Sequence, residues 1–215
     1  MNPYDIIYHF YPKDTPLRRL LILHSEKVRD KAFAILREAR LIEPSAFADI
    51  DEQLINDGAL LHDIGIGKTN APGILCEGTE PYILHGTIGA EMLRSLQVDE
   101  RASREQEEPL PTDKGVFGEC SNAYLESLAR VCERHTGSGL TAEDILAQGL
   151  PISPVRDLIP ETLEEQLVCL ADKFYSKSGD ASVEKQFDRV RRSMMKFGPA
   201  SIDRFNALCD TFYIK

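Results

Sequence analysis

Apolar residues recur along this chain mainly at helical spacing. Over residues 16–40, Leu17, Leu21, His24, Val28, Ile35 and Ala39 fall along one stripe and predict a first long helix. A second is predicted over 49–63, where "DIDE" at 49–52 has the form of a capping box and Gly65 and Gly67 stop the helix. After a Pro/Gly-rich loop at 69–82, a third begins at His85 and ends by Leu96. Helix resumes over 122–135, and a short helix capped at Thr141 stops at Gly149. Residues 160–177 combine a proline start, a "TLEE" capping box and a clear apolar stripe. Helices over 183–197 and 200–212 finish the chain, strand signals are weak, and there is no internal repeat. The pattern predicts one all-α domain over 1–215, with its core in 16–177. Residues 97–120 are charged, proline-containing and aperiodic, and read as an inserted loop or a lid.

Composition narrows the function classes. The net charge of −10 argues against a nucleic-acid polymer as partner, since such binders carry a basic stripe. It leaves room for a small anion held by a metal and a few local Lys or Arg. No apolar run approaches membrane-spanning length. The patch after Arg18 and Arg19 is cut off by His24, Ser25 and Glu26 too soon for a signal peptide, so the expected compartment is the cytoplasm. Five scattered cysteines without a CxxC fit reduced, buried thiols rather than disulfides or a thiolate zinc site.

The candidate chemistry lies where the apolar run "ALLHDIGIGKT" ends in His62 and Asp63. His24 shares a helical face with Leu21 and Val28, and His62 shares one with Ile55 and Ala59. His85 precedes Ile88, Gly89 and Met92 at helical offsets. His135 comes after Leu128, Val131 and Cys132, and Asp172 after Val168 and Cys169. Any one of these histidines alone is most simply a core imidazole bonded to a carbonyl. Asp172 is different: a carboxylate on an apolar stripe costs several kcal/mol unless a cation such as Lys173 or Lys177 compensates it. Four of five histidines and two acids aimed at one interior are difficult to explain as packing, while His9, on no stripe, is assigned no role.

A divalent metal accounts for the set. Imidazole nitrogen and carboxylate oxygen suit first-row ions, and a ligand set without cysteine favours Fe or Mn, with Mg, Ni, Co or Zn also compatible. An Asp beside a His can offer one oxygen to each of two ions, which together polarise a phosphoryl group and generate hydroxide near neutral pH. Asp63 is therefore the expected catalytic bridge. Lys68, which is also a candidate catalytic residue, and Thr69, closing the Gly-rich loop, are candidates for holding a phosphate, although a solvated loop lysine is an equal reading for Lys68. Lys173 and Lys177 are further candidate substrate contacts. Arg134 reads as a surface charge, Ser138 with Gly137 and Gly139 as a weak anion-binding signal, and Glu164 and Glu165 as helix N-terminal acids.

The order His24, His62-Asp63, Asp172 resembles the HD superfamily of metal-dependent phosphohydrolases, and "HDIG" at 62–65 is similar to its HDIG subgroup. "HGTIGAEML" from His85, "ERHTGSGL" around His135 and "ADKFYSK" from Ala171 resemble further segments of its two-metal branches. The resemblance implies a helical bundle with the metals at its centre. It also implies one ion held by His24, His62, Asp63 and Asp172, and a second held by Asp63, His85 and His135. A "GYP" signature of the cyclic-di-GMP-cleaving members is absent, and 97–120 is an insertion relative to compact HDIG proteins.

The function expected is hydrolysis, by metal-bound hydroxide, of a phosphomonoester or phosphoanhydride of a nucleotide or other small phosphorylated metabolite. Two alternatives remain at this level: an HD-type di-iron oxygenase acting on a small polyol or phosphonate, and a non-catalytic nucleotide-sensing module.

Overall fold

The computed structural model describes residues 1–97 and 121–215. Among them are nine α-helices and one small sheet: α1 (Pro3–Phe10), α2 (Pro16–Ile42), α3 (Glu52–Leu61), α4 (His85–Arg94), α5 (Asn122–Arg134), α6 (Ala142–Ala147), α7 (Leu163–Asp172), α8 (Phe187–Met194) and α9 (Pro199–Thr211). The all-α expectation holds. The segment 97–120 lies outside the described residues, Gln97 excepted.

Local chemistry sets the helix starts. Thr15 accepts a hydrogen bond from the Arg18 amide ahead of Pro16, so α2 begins with both a cap and a pre-set proline φ. Asp51, rather than Asp49, caps α3 through the Leu54 amide. Thr141 and Asp144 form a reciprocal capping box on α6, and Thr162 caps α7. The last predicted helix before α9 is shorter than expected: α8 starts only at Phe187 and decays into a 3-10 turn over Met195–Phe197.

Two elements have no counterpart in the apolar periodicity. Asn2 and Pro3 start α1, whose Ile6 and Ile7 are fully buried. The loop after α3 folds into a three-stranded sheet of β1 (Thr69–Ala71), β2 (Cys76–Glu77) and β3 (Glu80–Pro81), with β1 central, antiparallel to β2 and parallel to β3.

The interior holds two large apolar clusters. One gathers Val28, Ile35, Phe47, Ile55, Val168 and Phe205; the other gathers Ile6, Leu21, Leu61, Ile64, Leu93 and Leu128. Helix α2 runs through both, with Leu21 in one and Val28 in the other, and His24 falls on the same buried stripe between them. Helices α3 and α7 pack on α2, α4 lies along α5, and α9 packs on α7 and α8. No helix among the described residues is long and apolar enough to cross a membrane.

Candidate metal centre

The His62–Asp63 pair sits where α3 ends and the chain turns sharply, with Ile64 donating to the Leu61 carbonyl and Ile66 to the Asp63 carbonyl. The turn is pressed against the start of α4. A Cβ on Gly65 would lie 2.2 Å from the His85 carbonyl oxygen and 2.5 Å from the Gly89 nitrogen, which only glycine avoids. Gly86 likewise lets α4 approach α5, since its Cβ would fall 2.6 Å from the Cys132 carbonyl oxygen. Tyr11, just beyond α1, clamps the turn from outside. Its hydroxyl donates to the Ile64 carbonyl at 2.6 Å and accepts from the Gly67 amide at 3.0 Å.

These approaches bring six buried side chains together in two groups: His24, His62, Asp63 and Asp172, and Asp63, His85 and His135. Asp63 belongs to both, with one oxygen toward each. Its Oδ2 lies 3.3 Å from His24 Nε2 and 3.2 Å from His62 Nε2, while its Oδ1 lies 3.5 Å from both His85 Nε2 and His135 Nε2. Asp172 Oδ1 completes the first group, 3.0 Å from His24 Nε2 and 3.5 Å from His62 Nε2.

Three of the four imidazoles are oriented by one device. His62, His85 and His135 each bring Nδ1 to 2.7 Å of the carbonyl three residues earlier: Ala59, Tyr82 and Cys132. A carbonyl can only accept, so Nδ1 carries a proton and Nε2 is the atom turned inward, the orientation usual for metal-ligating histidine. Buried His62 Nε2 and Asp63 Oδ1 accept or donate no hydrogen bond among the described residues. Buried polar atoms left unsatisfied are costly, and a cation between these groups would satisfy both. The donor set, imidazole and carboxylate without thiolate, fits a first-row divalent ion.

The electrostatics point the same way. Burial pushes Asp63 up, yet the Lys177 ammonium, 2.6 Å from Oδ2, and the neighbouring His62 hold it well below the usual carboxylate range. Asp172 is likewise held down against burial by Lys173, whose Nζ lies 2.7 Å from Oδ2, and by Lys177. Burial and the neighbouring His135 lower His85 to about 3, and burial lowers His135. Burial opposes a charge on His62, but Asp63 and Asp172 raise it to about 9. The carboxylates are thus ionised and His85 and His135 neutral, as metal ligation requires, while His62, charged beside the two carboxylates, has to release its Nε2 proton when an ion binds.

The centre opens into a cavity of about 780 Å³ whose wall includes His85, His135, Asp172, Lys173 and Lys177. Two sequence candidates are not there. Lys68 is exposed on the sheet side and Thr69 is buried, its hydroxyl donating to the Ile66 carbonyl; neither lines the cavity. Arg134 is not a surface charge: it is buried, with Nη1 2.8 Å from Glu161 and 3.5 Å from the buried Glu165. Glu165 also pairs with Arg130, while Glu164 accepts from the Asp51 amide. Ser138 and its flanking glycines do line the cavity, although the Ser138 hydroxyl is engaged by Ser201. Sequence reasoning missed Tyr82, which stacks on His85 with centroids 4.6 Å apart, and Lys185 and Arg204, which reach the cavity from beyond α7.

Comparison with known proteins agrees with this geometry. The HD domain family model matches residues 21–176. A protein of Picrophilus torridus named tRNA (cytidine(56)-2'-O)-methyltransferase is 32% identical over 175 residues, 79% of this chain and 39% of that protein. An uncharacterized protein of Methanocaldococcus jannaschii is 30% identical over 162 residues, 75% of this chain and 72% of its own length. A protein of Thermoplasma volcanium with the same methyltransferase name is 25% identical over 207 residues, 96% of this chain and 45% of that protein. The chain therefore spans less than half the length of the methyltransferase-named relatives it matches. No solved structure matches. With the matched segment enclosing His24, the His62–Asp63 pair, His85, His135 and Asp172, this chain belongs to the HD domain family.

Proposed function

We propose that the chain is a divalent-metal-dependent hydrolase of a small phosphorylated metabolite, cleaving a phosphomonoester or phosphoanhydride. The observation that carries this reading is Asp63: a buried, ionised carboxylate with one oxygen toward each of two ligand groups, beneath a cavity walled by lysines. His24, His62, Asp63 and Asp172 would hold one ion, and Asp63, His85 and His135 a second. Ions so held polarise phosphoryl oxygens and lower the pKa of water to near neutrality.

The chain's own residues supply the rest. Lys173 and Lys177 reach both the carboxylates and the cavity, so they bring positive charge to the place where phosphoryl oxygens enter. The Lys173 ammonium is fixed by the His135 carbonyl at 3.0 Å, which ties the cation's position to that of a candidate ligand. The Nδ1 bonds of His62, His85 and His135 fix each ring, so substrate meets a preset arrangement.

The names of two relatives raise a second reading, in which the substrate is a tRNA. A net charge of −10 and a metabolite-sized cavity favour a small molecule instead. Protein purified without oxygen, supplied with Mn or Fe and screened for phosphate release from nucleotides, sugar phosphates and tRNA separates these. Release from a small phosphoester, lost in Asp172→Ala, is expected. Turnover of tRNA alone would overturn the small-molecule reading, and undiminished release by Asp172→Ala would overturn the metal-centre reading.

A further inference from the structure

The cavity wall contains four cationic side chains, Lys173, Lys177, Lys185 and Arg204, against one carboxylate, Asp172. Three of the four are already paired: Lys173 with Asp172 at 2.7 Å, Lys177 with Asp63 at 2.6 Å, and Arg204 with Asp144 at 2.6 Å. Lys185 has no ion-pair partner among the described residues. Its Nζ donates to the Lys173 carbonyl at 3.0 Å, which holds the ammonium in place without neutralising it. Burial lowers its pKa, and repulsion from Lys173, Lys177 and Arg189 adds to that against the attraction of Asp172. A half-buried ammonium facing a cavity and crowded by like charge is a seat for an anion.

The position of this seat limits what fills it. Lys185 is anchored on the carbonyl of the residue next after Asp172, and both side chains line the same cavity. The remainder of the wall is largely apolar, with Ile74, Tyr82, Leu140, Leu150, Met194 and Phe197, and the volume of about 780 Å³ is that of a small-molecule site. Lys185, Met194, Phe197 and Arg204 all lie beyond residue 176, outside the segment that matches the family. The wall thus combines residues of the matched segment, such as Ile74, Tyr82, Leu140 and Leu150, with these four from beyond it.

We propose that Lys185 is a second anion subsite and that the substrate is an organic phosphoanhydride. Its terminal phosphoryl group sits at the His/Asp groups, the adjoining one at Lys185, and the organic body against the apolar wall. The inference rests on the hydrolase reading above. In the reaction, the oxygen of water bonds to the terminal phosphorus and the bond from that phosphorus to the bridging oxygen breaks. The electron pair leaves on the bridging oxygen, which stays with the phosphate at Lys185. The products are orthophosphate, an organic phosphate one phosphoryl group shorter, and a proton released near neutral pH. Lys185 thus meets the charge that develops on the leaving group.

The test uses two probes that cannot be hydrolysed, methylenediphosphonate and methylphosphonate, titrated calorimetrically into the Mn-loaded full chain. In wild type the diphosphonate is expected to bind more tightly. Lys185→Gln is expected to cut the ratio of the two affinities about tenfold, and Lys185→Arg, which keeps the charge, to retain it. An unchanged ratio in Lys185→Gln, or an equal loss in Lys185→Arg, overturns the proposal. Phosphate release is measured separately: a chain that hydrolyses neither mono- nor diphosphates ends the hydrolase reading, while the affinity ratio still decides the role of Lys185.

Discussion

His85 and His135 meet through their Nε2 atoms, 3.0 Å apart, while the Nδ1 of each faces a backbone carbonyl at 2.7 Å. Both rings therefore aim lone pairs at one point, which also faces Asp63 Oδ1 at 3.5 Å from each ring. Three acceptors converging in a buried place repel one another until a cation joins them.

Removing one of these rings should empty one group and spare the other. His135→Ala is expected to lower the metal content of dialysed protein from about two ions per chain to about one, read by elemental analysis. Unchanged content would detach this pair from metal binding.

Gly65→Ala should distort the centre without touching a ligand. The added methyl would sit 2.2 Å from the His85 carbonyl oxygen, a backbone atom that cannot move aside cheaply. We expect a loss of about 3 kcal/mol in stability, measured by denaturant unfolding, together with weakened metal retention. A variant as stable as wild type would show that the turn and α4 are not locked together.

Tyr11→Phe removes one hydroxyl that both donates to Ile64 and accepts from Gly67. The expected cost is about 1–3 kcal/mol in the same unfolding experiment. Because these bonds shape the turn that carries Asp63, metal affinity should fall as well.

Lys177 holds a position a metal ion would contest, 2.6 Å from Asp63 Oδ2 and 3.8 Å from Asp172 Oδ1. In Lys177→Met the metal-free chain should melt earlier, because two buried carboxylates lose a cation. Its melting temperature should rise more on adding Mn than that of wild type, since no ammonium competes. An equal rise in both would show that Lys177 and the ion occupy the centre independently.

Much of this was legible along the chain. His24 falls on an apolar stripe because helical spacing places it beside Leu21 and Val28, and the structure puts all three on the buried side of α2. The same offsets bring His85, His135 and Asp172 inward. What periodicity could not show depends on long-range packing or on very short elements. The strands of the sheet have two or three residues, too few for an alternation to register. Lys68 faces outward because Thr69 enters that sheet and Tyr11 fixes the Gly67 amide, neither of which the motif reveals. Arg134 looks like a surface charge from its place next to His135, yet the buried Glu165 and the Ile159 carbonyl, far along the chain, hold it inside. Lys185 and Arg204 belong to no motif and reach the cavity only because the C-terminal segment folds back over α7.

The proposed chemistry turns on the shared carboxylate. Its sharpest test is elemental analysis of anaerobically purified wild type and Asp63→Ala after dialysis against equal Mn. About two ions per chain are predicted in wild type and at most a residual trace in Asp63→Ala, because both groups lose their common ligand. Equal metal content in the two proteins would contradict a bridging role for Asp63.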